Sequence, residues 1–348
     1  MASRRIEYLD AVKGFAIFLV VIGHAILWNA PDWDYNISFN EANPTSLYRG
    51  IIWQWIYSFH MPLFFMISGY FIKSIDAGMI SLQKRKHLKQ SIISKSQRLL
   101  IPYFVTGFFW MIVRQGFGYW FLFGLWEISI LAMIMIFIMS YINKNDSIWI
   151  DLIGWCVFFF AVKILLPALP KNDIVEFDRC LFDVPAFIGG ILIRKYDLIR
   201  HLNLKVVSLL LVVFTVSFVL SYLPYIYPDH MIILKGSEYI RNYVIPLAGC
   251  GAIIGIFKLY YRRLFMRFFV ILGMYSLEIY ILHIFFVVQN PKIGEYIFKM
   301  PSYYGFAVQI FSSILFAIVA VAVSVVVAKL IHRNRTLSFV LFGIKYNV

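Results

Sequence analysis

Charged residues are scarce in this chain of 348 residues. They make up 14% of the sequence, whereas soluble domains average about 25%. Hydrophobic residues reach 61%, and the mean hydropathy is +0.78. A soluble fold of this length cannot bury so much apolar surface, and the composition also excludes disorder, collagen and coiled coils. The class that remains is a polytopic membrane protein.

Cysteine and acidic residues are also few. Cys156, Cys180 and Cys250 have no metal-binding or redox spacing, so we interpret them as packing residues and expect no metal. The chain has 18 acidic residues and 32 Lys and Arg, which gives a net charge of +14. Such an excess also occurs in nucleic-acid-binding proteins. In a membrane protein it sets topology, so we expect membrane lipids and no nucleic acid as partners.

Apolar runs of the length that crosses a bilayer, about 20 residues, are abundant. They predict an all-α polytopic membrane protein of about ten transmembrane helices, organised as a single domain over residues 1–348. The first run carries Asp10 and Lys13 and shows no small-residue cleavage site, so we expect a retained helix and not a signal peptide. The ten predicted spans cover residues 6–28, 49–73, 98–116, 118–142, 148–167, 181–194, 205–227, 240–258, 268–290 and 303–329.

The distribution of Lys and Arg supports this threading. With loops assigned alternately from an inside N-terminus, 22 of the 32 cations lie on the inside and 8 on the outside. The positive-inside rule therefore predicts ten helices with both termini cytoplasmic.

The first predicted helix carries ionisable residues on one face. Lys13 and His24 are 11 residues apart, three helical turns plus about 20°, and Asp10 lies within about 40° of the same line. His24 is then about 16 Å from Lys13 along the axis. Ionisable groups at membrane depth are candidates for function. The alternative is an Asp10–Lys13 ion pair with His24 bonded to a carbonyl.

The second predicted helix places His60 near mid-membrane, with Pro62 expected to kink the helix beside it. A catalytic role and a structural role for His60 are equally consistent with this placement. Ser68 suits close helix packing. Lys95 and Arg98 are spaced i,i+3 where the third predicted helix begins, and two cations at a helix start can hold a phosphate.

Further polar groups lie in later spans. Trp120 and Glu127 share a face of the fourth predicted helix, and Ser276 and His283 align one heptad apart in the ninth, with Glu278 nearby. Ion pairing between helices is the alternative explanation for the acidic residues.

Together these segments resemble the acyltransferase-3 family of bacterial integral-membrane acyltransferases, and the opening is similar to its fucose 4-O-acetylase-like branch. The resemblance spans nearly the whole chain in topology. Its sharpest motifs lie in residues 5–24, 59–70 and 95–103, with lesser similarity at 119–122 and 276–283. The family signatures have Arg where this chain has Lys13 and Lys95. Both replacements keep the charge and lose the guanidinium fork.

The resemblance implies an O-acyltransferase that moves an acyl group, with acetyl expected, from cytoplasmic acyl-CoA to a hydroxyl of an extracytoplasmic or lipid-linked glycan. His24 would act as general base or as an acylated nucleophile, and Asp10 is the second predicted catalytic residue. Lys13, Lys95 and Arg98 would bind acyl-CoA. The predicted supporting residues are His60, Ser68, Trp120, Glu127, Glu278 and His283. Carboxylates and aromatics of the outer loops, at 32–41 and 173–178, suit a sugar.

Two other functions compete with this one. A proton-coupled transporter or polysaccharide exporter component would use the buried ionisable groups as a relay, and a non-catalytic partner of a polysaccharide synthase is a third reading. The basic segment near Lys95 favours the acyltransferase hypothesis, since a transporter does not need a basic patch large enough to bind CoA. We expect a bacterial cytoplasmic (inner) membrane location, and the sequence leaves a homo-oligomer open.

Overall fold

The computed structural model describes residues 6–29, 44–76, 78–114, 119–165, 177–227 and 229–344. This part of the chain is all-helical and contains no strand, which confirms the predicted class. The helices are α1 (Glu7–Trp28), α2 (Pro44–Tyr57), α3 (His60–Tyr70), α4 (Ser81–Arg114), α5 (Trp120–Ile142), α6 (Ile148–Leu165), α7 (Phe177–Cys180), α8 (Val184–Lys195), α9 (Leu204–Leu220), α10 (Leu223–Ile226), α11 (Met231–Tyr239), α12 (Ile245–Tyr260), α13 (Leu264–Met274), α14 (Ser276–Phe286), α15 (Pro291–Phe298), α16 (Ser302–Ile331) and α17 (Arg335–Phe342).

Five helices of the described part are long and apolar enough to cross a membrane, or six if one bent pair counts as a span. The five are Glu7–Trp28, Trp120–Ile142, Ile148–Leu165, Met231–Tyr260 and Tyr303–Ile331. The fourth of these joins α11 to α12 through a π-helical stretch, Ile240–Val244. The helical membrane architecture is thus confirmed, whereas the count of ten spans and the cytoplasmic termini stay predictions.

Three predicted spans differ in form from the structure. The span at 49–73 is divided, because α2 ends at Tyr57 and α3 begins at His60, shortly before the helix-breaking Pro62. The span at 268–290 bends by 88° between Met274 and Ser276. The third predicted helix does not begin near Lys95. It is the second half of α4, which starts at Ser81 because the Lys, Arg and Gln of the basic segment are good helix formers.

The chain divides into two compact units, one of residues 6–64 and 200–329 and the other of residues 65–199 and 330–344 in the described part. In the first unit, α1 packs along α13 and α12, and α9 packs along α12. Gly14 and Gly273 allow the closest approach, because a Cβ on Gly14 would overlap the carbonyl oxygen of Phe269 and one on Gly273 would overlap that of Asp10. The ring of Phe15 lies 5.5 Å from those of Phe257 and Phe269.

In the second unit, α4 packs against α5 and α17, and α6 against α5 and α8. A buried carboxylate joins three of its segments. Asp151 of α6 accepts hydrogen bonds from the amide of Asn143 (2.7 Å) and the hydroxyl of Tyr196 (2.8 Å), and pairs with Lys195 at 2.7 Å. Burying a carboxylate is tolerated when donors surround it in this way, so this network fixes α6 to the end of α8.

Candidate functional site

Two histidines from distant parts of the sequence meet in the first unit. Nδ1 of His24, near the end of α1, lies 2.8 Å from Nε2 of His283 in α14. His283 is fully buried, and its Nδ1 lies 2.8 Å from the carbonyl oxygen of Ile279. His24 is partly exposed. Within the described residues, no hydrogen bond reaches the other ring nitrogen of His24, Nε2.

The ends of the two helices that carry these histidines are tied together. The side-chain amide of Asn29, which follows α1, donates to the carbonyl oxygens of Ala25 (2.8 Å) and Val288 (2.9 Å). Its oxygen accepts from the backbone N–H of Asn290 at 2.9 Å. Trp28 stacks on the ring of His24 with centroids 4.7 Å apart. Asn29 and Trp28 therefore hold His24 in place.

His60 lies in the same unit and is buried. Its Nδ1 donates to the carbonyl oxygen of Ile56 at 2.8 Å, so the side chain bridges the break between α2 and α3. The ring of Tyr57 lies 4.5 Å from that of His60 and packs against Gly23, one residue before His24. His60 thus has a structural partner and lies one side chain away from α1.

The opposite end of α1 carries the predicted pair Asp10 and Lys13. Asp10 is buried, and its carboxylate lies 2.6 Å from the ammonium of Lys13. The ion pair weighed as an alternative is therefore present. Asp10 is 14 residues before His24, about 21 Å along the helix, so the structure does not bring these two predicted catalytic residues together. The ring of Tyr8 packs on that of Tyr261, which precedes Arg262 and Arg263.

Lys95 and Arg98 lie in the second unit, on successive turns in the middle of α4, so no helix-start dipole acts on them. Lys95 is partly buried and Arg98 is exposed. Burial lowers the pKa of Lys95 to about 8, and the charge of Arg98 acts in the same direction. The indole of Trp126 donates to Ser96 between them at 2.9 Å. Two cations one turn apart suit an anionic ligand.

The remaining predicted residues divide between the two units. Trp120 is the first residue of α5, and one carboxylate oxygen of Glu127 in the same helix is buried. Ser68 belongs to the second unit, which includes residues 65–70 of α3. Glu278 is buried near the start of α14 and belongs to the first unit with His283. Of the two outer loops expected to suit a sugar, 32–41 and 173–178, all residues except 177 and 178 lie outside the described part of the chain, and these two belong to α7.

The second unit also contains a cavity of about 460 Å³. Its walls include Asp76, Asp151, Arg194 and Lys195, and no predicted site residue is among those that line it. Because Lys195 is paired with Asp151 and with Asp146 (3.1 Å), the charges of this cavity are largely neutralised. In the part of the chain that the structure describes, no group of three or more His, Cys, Asp or Glu is arranged to hold a metal ion.

Comparison with protein families gives a match over nearly the whole chain. The family model described as an acyltransferase domain, of the acyltransferase-3 family, matches residues 6–333. The chain belongs to this family. It is therefore a membrane acyltransferase. Comparison with curated proteins and with solved structures gave no match.

Three features of the candidate site were not predicted from the sequence. The stacking of Trp28 on His24 follows from their i,i+4 spacing on α1, so helical geometry would have indicated it. The contacts of Asn29 with Val288 and Asn290, and of His24 with His283, join residues about 260 positions apart in the sequence. No local pattern marks such pairs, although His283 was predicted as a supporting residue.

Proposed function

We propose that this acyltransferase moves an acyl group, with acetyl the expected one, from cytoplasmic acyl-CoA to a hydroxyl of an extracytoplasmic or lipid-linked glycan in the bacterial inner membrane. The observation that supports a catalytic centre most directly is the environment of His24. Its ring is held by Trp28 and His283, while it stays partly exposed at the end of a membrane helix. A side chain that is fixed and accessible suits proton transfer.

The proposed step needs one proton acceptor that later returns the proton. Nε2 of His24 removes the proton of the acceptor hydroxyl as the hydroxyl oxygen attacks the thioester carbonyl carbon. The new C–O bond forms, the C–S bond breaks, and the leaving thiolate takes the proton from His24, which gives free CoA and an O-acyl ester. In the alternative, Nε2 of His24 itself attacks the thioester carbonyl carbon, the C–S bond breaks and the CoA thiolate leaves. The acceptor hydroxyl then attacks the acyl carbon of acyl-His24, the C–N bond breaks, and the hydroxyl proton passes to the thiolate, which gives the same products.

The proposed binding site for acyl-CoA is inferred from the positions of basic residues. The CoA moiety is strongly anionic. The first unit places Lys13, which is paired with Asp10, near the start of α1, and the turn at Arg262 and Arg263 beside that helix adds positive charge. Lys13 is about 16 Å from His24 along the axis, a distance that an extended pantetheine arm covers. Lys95 and Arg98 belong to the other unit, and their role in binding acyl-CoA is proposed from their charge and from the family resemblance.

The test is release of free CoA from acetyl-CoA by the purified protein in liposomes, with a cell-surface glycan extract as acceptor. We expect glycan-dependent release by the wild type and a loss of at least about 100-fold in His24→Ala, the range of general-base catalysis. His230→Ala is the matched control, because His230 is an exposed histidine of the same unit.

Normal release by a folded His24→Ala variant would refute the catalytic role of His24. A wild type that releases no CoA from acetyl-CoA or succinyl-CoA, yet moves a glycan across the liposome membrane, would instead indicate a transporter.

A further inference from the structure

We propose that His283 is a positioning residue that fixes the tautomer of His24, so that the proton of His24 sits on Nδ1 and the lone pair of Nε2 faces the substrate. The catalytic consequence of this inference rests on the function proposed above. The arrangement of protons itself does not, because it follows from two hydrogen bonds.

The first of these bonds settles the tautomer of His283. The carbonyl oxygen of Ile279 can only accept, so the ring nitrogen 2.8 Å from it, Nδ1 of His283, must carry a proton. A neutral imidazole has one N–H and one lone pair. Nε2 of neutral His283 is therefore an acceptor.

The second bond then settles the tautomer of His24. Nδ1 of His24 lies 2.8 Å from Nε2 of His283, so for a neutral pair Nδ1 must donate. The remaining nitrogen of His24, Nε2, is left with its lone pair. The opposite assignment would turn the lone pair of Nδ1 of His283 towards the Ile279 oxygen at 2.8 Å, where two acceptors repel each other.

This choice of tautomer matters because a neutral histidine side chain in water carries its proton mainly on Nε2. In that form the nitrogen nearer the tip of the ring is a donor and cannot remove a proton from a hydroxyl. A histidine base depends on a partner at its second nitrogen, which is usually a carboxylate or a carbonyl. Here the partner is a second histidine, which the Ile279 carbonyl holds in turn.

The pair is also held rigidly enough for the tautomer to persist. The rings of His24 and His283 are nearly parallel, with an interplanar angle of 18°. Asn29 joins the end of α1 to residues 288 and 290, which follow α14. Rotation of either ring would break a hydrogen bond, so the geometry keeps Nδ1 of His24 facing His283.

The direct test is ¹⁵N NMR of the protein labelled at its histidine ring nitrogens and reconstituted in lipid bilayers. Protonated and bare ring nitrogens of imidazole have well-separated ¹⁵N shifts, and the signals of His24 are those lost in His24→Gln. We expect a protonated Nδ1 and a bare Nε2 for His24. A proton on Nε2, or on both nitrogens, would overturn the proposal whether or not the protein transfers acyl groups.

Two substitutions at His283 separate positioning from packing. In His283→Gln the amide oxygen lies near the position of Nε2 and can accept from Nδ1 of His24. In His283→Asn the amide reaches the Ile279 carbonyl but not His24. We expect His283→Gln to keep kcat within about 10-fold, and His283→Asn to lower it roughly 100-fold with KM for acyl-CoA unchanged and the His24 proton moved to Nε2.

Equal losses in the two folded variants, or a His283→Asn variant that keeps the wild-type tautomer, would contradict the proposal. The double variant His24→Ala/His283→Asn is the internal check. Because His283 is proposed to act through His24, the second substitution should cause no further loss of activity. A further loss would assign His283 an independent role and overturn the proposal.

Discussion

The ammonium group of Lys95 loses its charge within the pH range in which enzymes are assayed. Its pKa is lowered to about 8, first by burial and then by the charge of Arg98. A lysine with a lowered pKa is charged below that value and becomes neutral as the pH rises through it. If Lys95 binds a phosphate of acyl-CoA, kcat/KM for acyl-CoA should fall above pH 8, because this ratio reports groups of the free enzyme.

The matched variant for this prediction is Lys95→Arg. Arginine stays protonated at every assay pH, so we expect kcat/KM of this variant to remain level from pH 7 to 9.5, where the wild type declines. The measurement is the pH profile of CoA release at subsaturating acyl-CoA. The same decline in both proteins would assign the titration to another group and leave Lys95 as a determinant of topology alone.

The crossing of α1 and α13 depends on two glycines. A methyl group on Gly273 would overlap the backbone oxygen of Asp10, and backbone cannot move aside as a flexible side chain can. Overpacking typically costs about 1–3 kcal/mol, so we expect Gly273→Ala to lower the Tm of the detergent-solubilised protein by several degrees. The same shift should accompany lower activity, since α1 carries His24.

Gly236 provides the control for this substitution. It lies inside α11, and a Cβ there meets no atom within 4 Å. Since Ala is favoured over Gly in a helix by roughly 0.5–1 kcal/mol, Gly236→Ala should leave the Tm unchanged or raise it slightly. A Gly273→Ala variant as stable as Gly236→Ala would show that the close approach of the two helices contributes little to stability.

At the scale of single helices, the sequence predicted where apolar segments lie better than how they bend. The apolar run at 6–28 predicted α1 almost to the residue, because its mean hydropathy stays high in spite of Asp10 and Lys13. The 88° bend between α13 and α14 was not predicted, since both halves are equally apolar and averaged hydropathy carries no direction. The start of α4 was missed for the converse reason. Its first turns are helical but polar, so apolar runs do not mark them.

The candidate site divides in the same way. His24 was predicted because its spacing from Lys13 is local to one helix, and the Asp10–Lys13 ion pair followed from i,i+3 spacing. The contact of His24 with His283 depends on how α14 returns to α1. A single sequence does not indicate which distant helices pack together. The division into two units likewise follows from contacts between distant segments, and the predicted single domain stays a prediction.

For the whole molecule, the ten-span topology can be decided at α8. This helix has 12 residues, about 18 Å, which is shorter than a hydrocarbon core of about 30 Å. The positive-inside rule nevertheless assigns Arg194 and Lys195 at its end to the cytoplasm, which requires residues 181–194 to cross. If they cross, Asp197 lies on the same side as Asn145. If they did not cross, Asp197 would lie on the opposite side. The pairing of Lys195 with Asp146 and Asp151 contradicts that placement, so we expect residues 181–194 to cross.

Cysteine labelling distinguishes these two topologies. In a variant whose three native cysteines are replaced by Ala, we would introduce Asn145→Cys, Asp197→Cys or Asp229→Cys, all at exposed positions, and treat intact cells with a membrane-impermeant maleimide. Ten spans predict labelling at 229 in intact cells, and at 145 and 197 only after permeabilisation. Labelling at 197 without permeabilisation, with 145 protected, would mean that residues 181–194 form a re-entrant segment. The number of spans would then be odd, and the two termini would lie on opposite sides of the membrane.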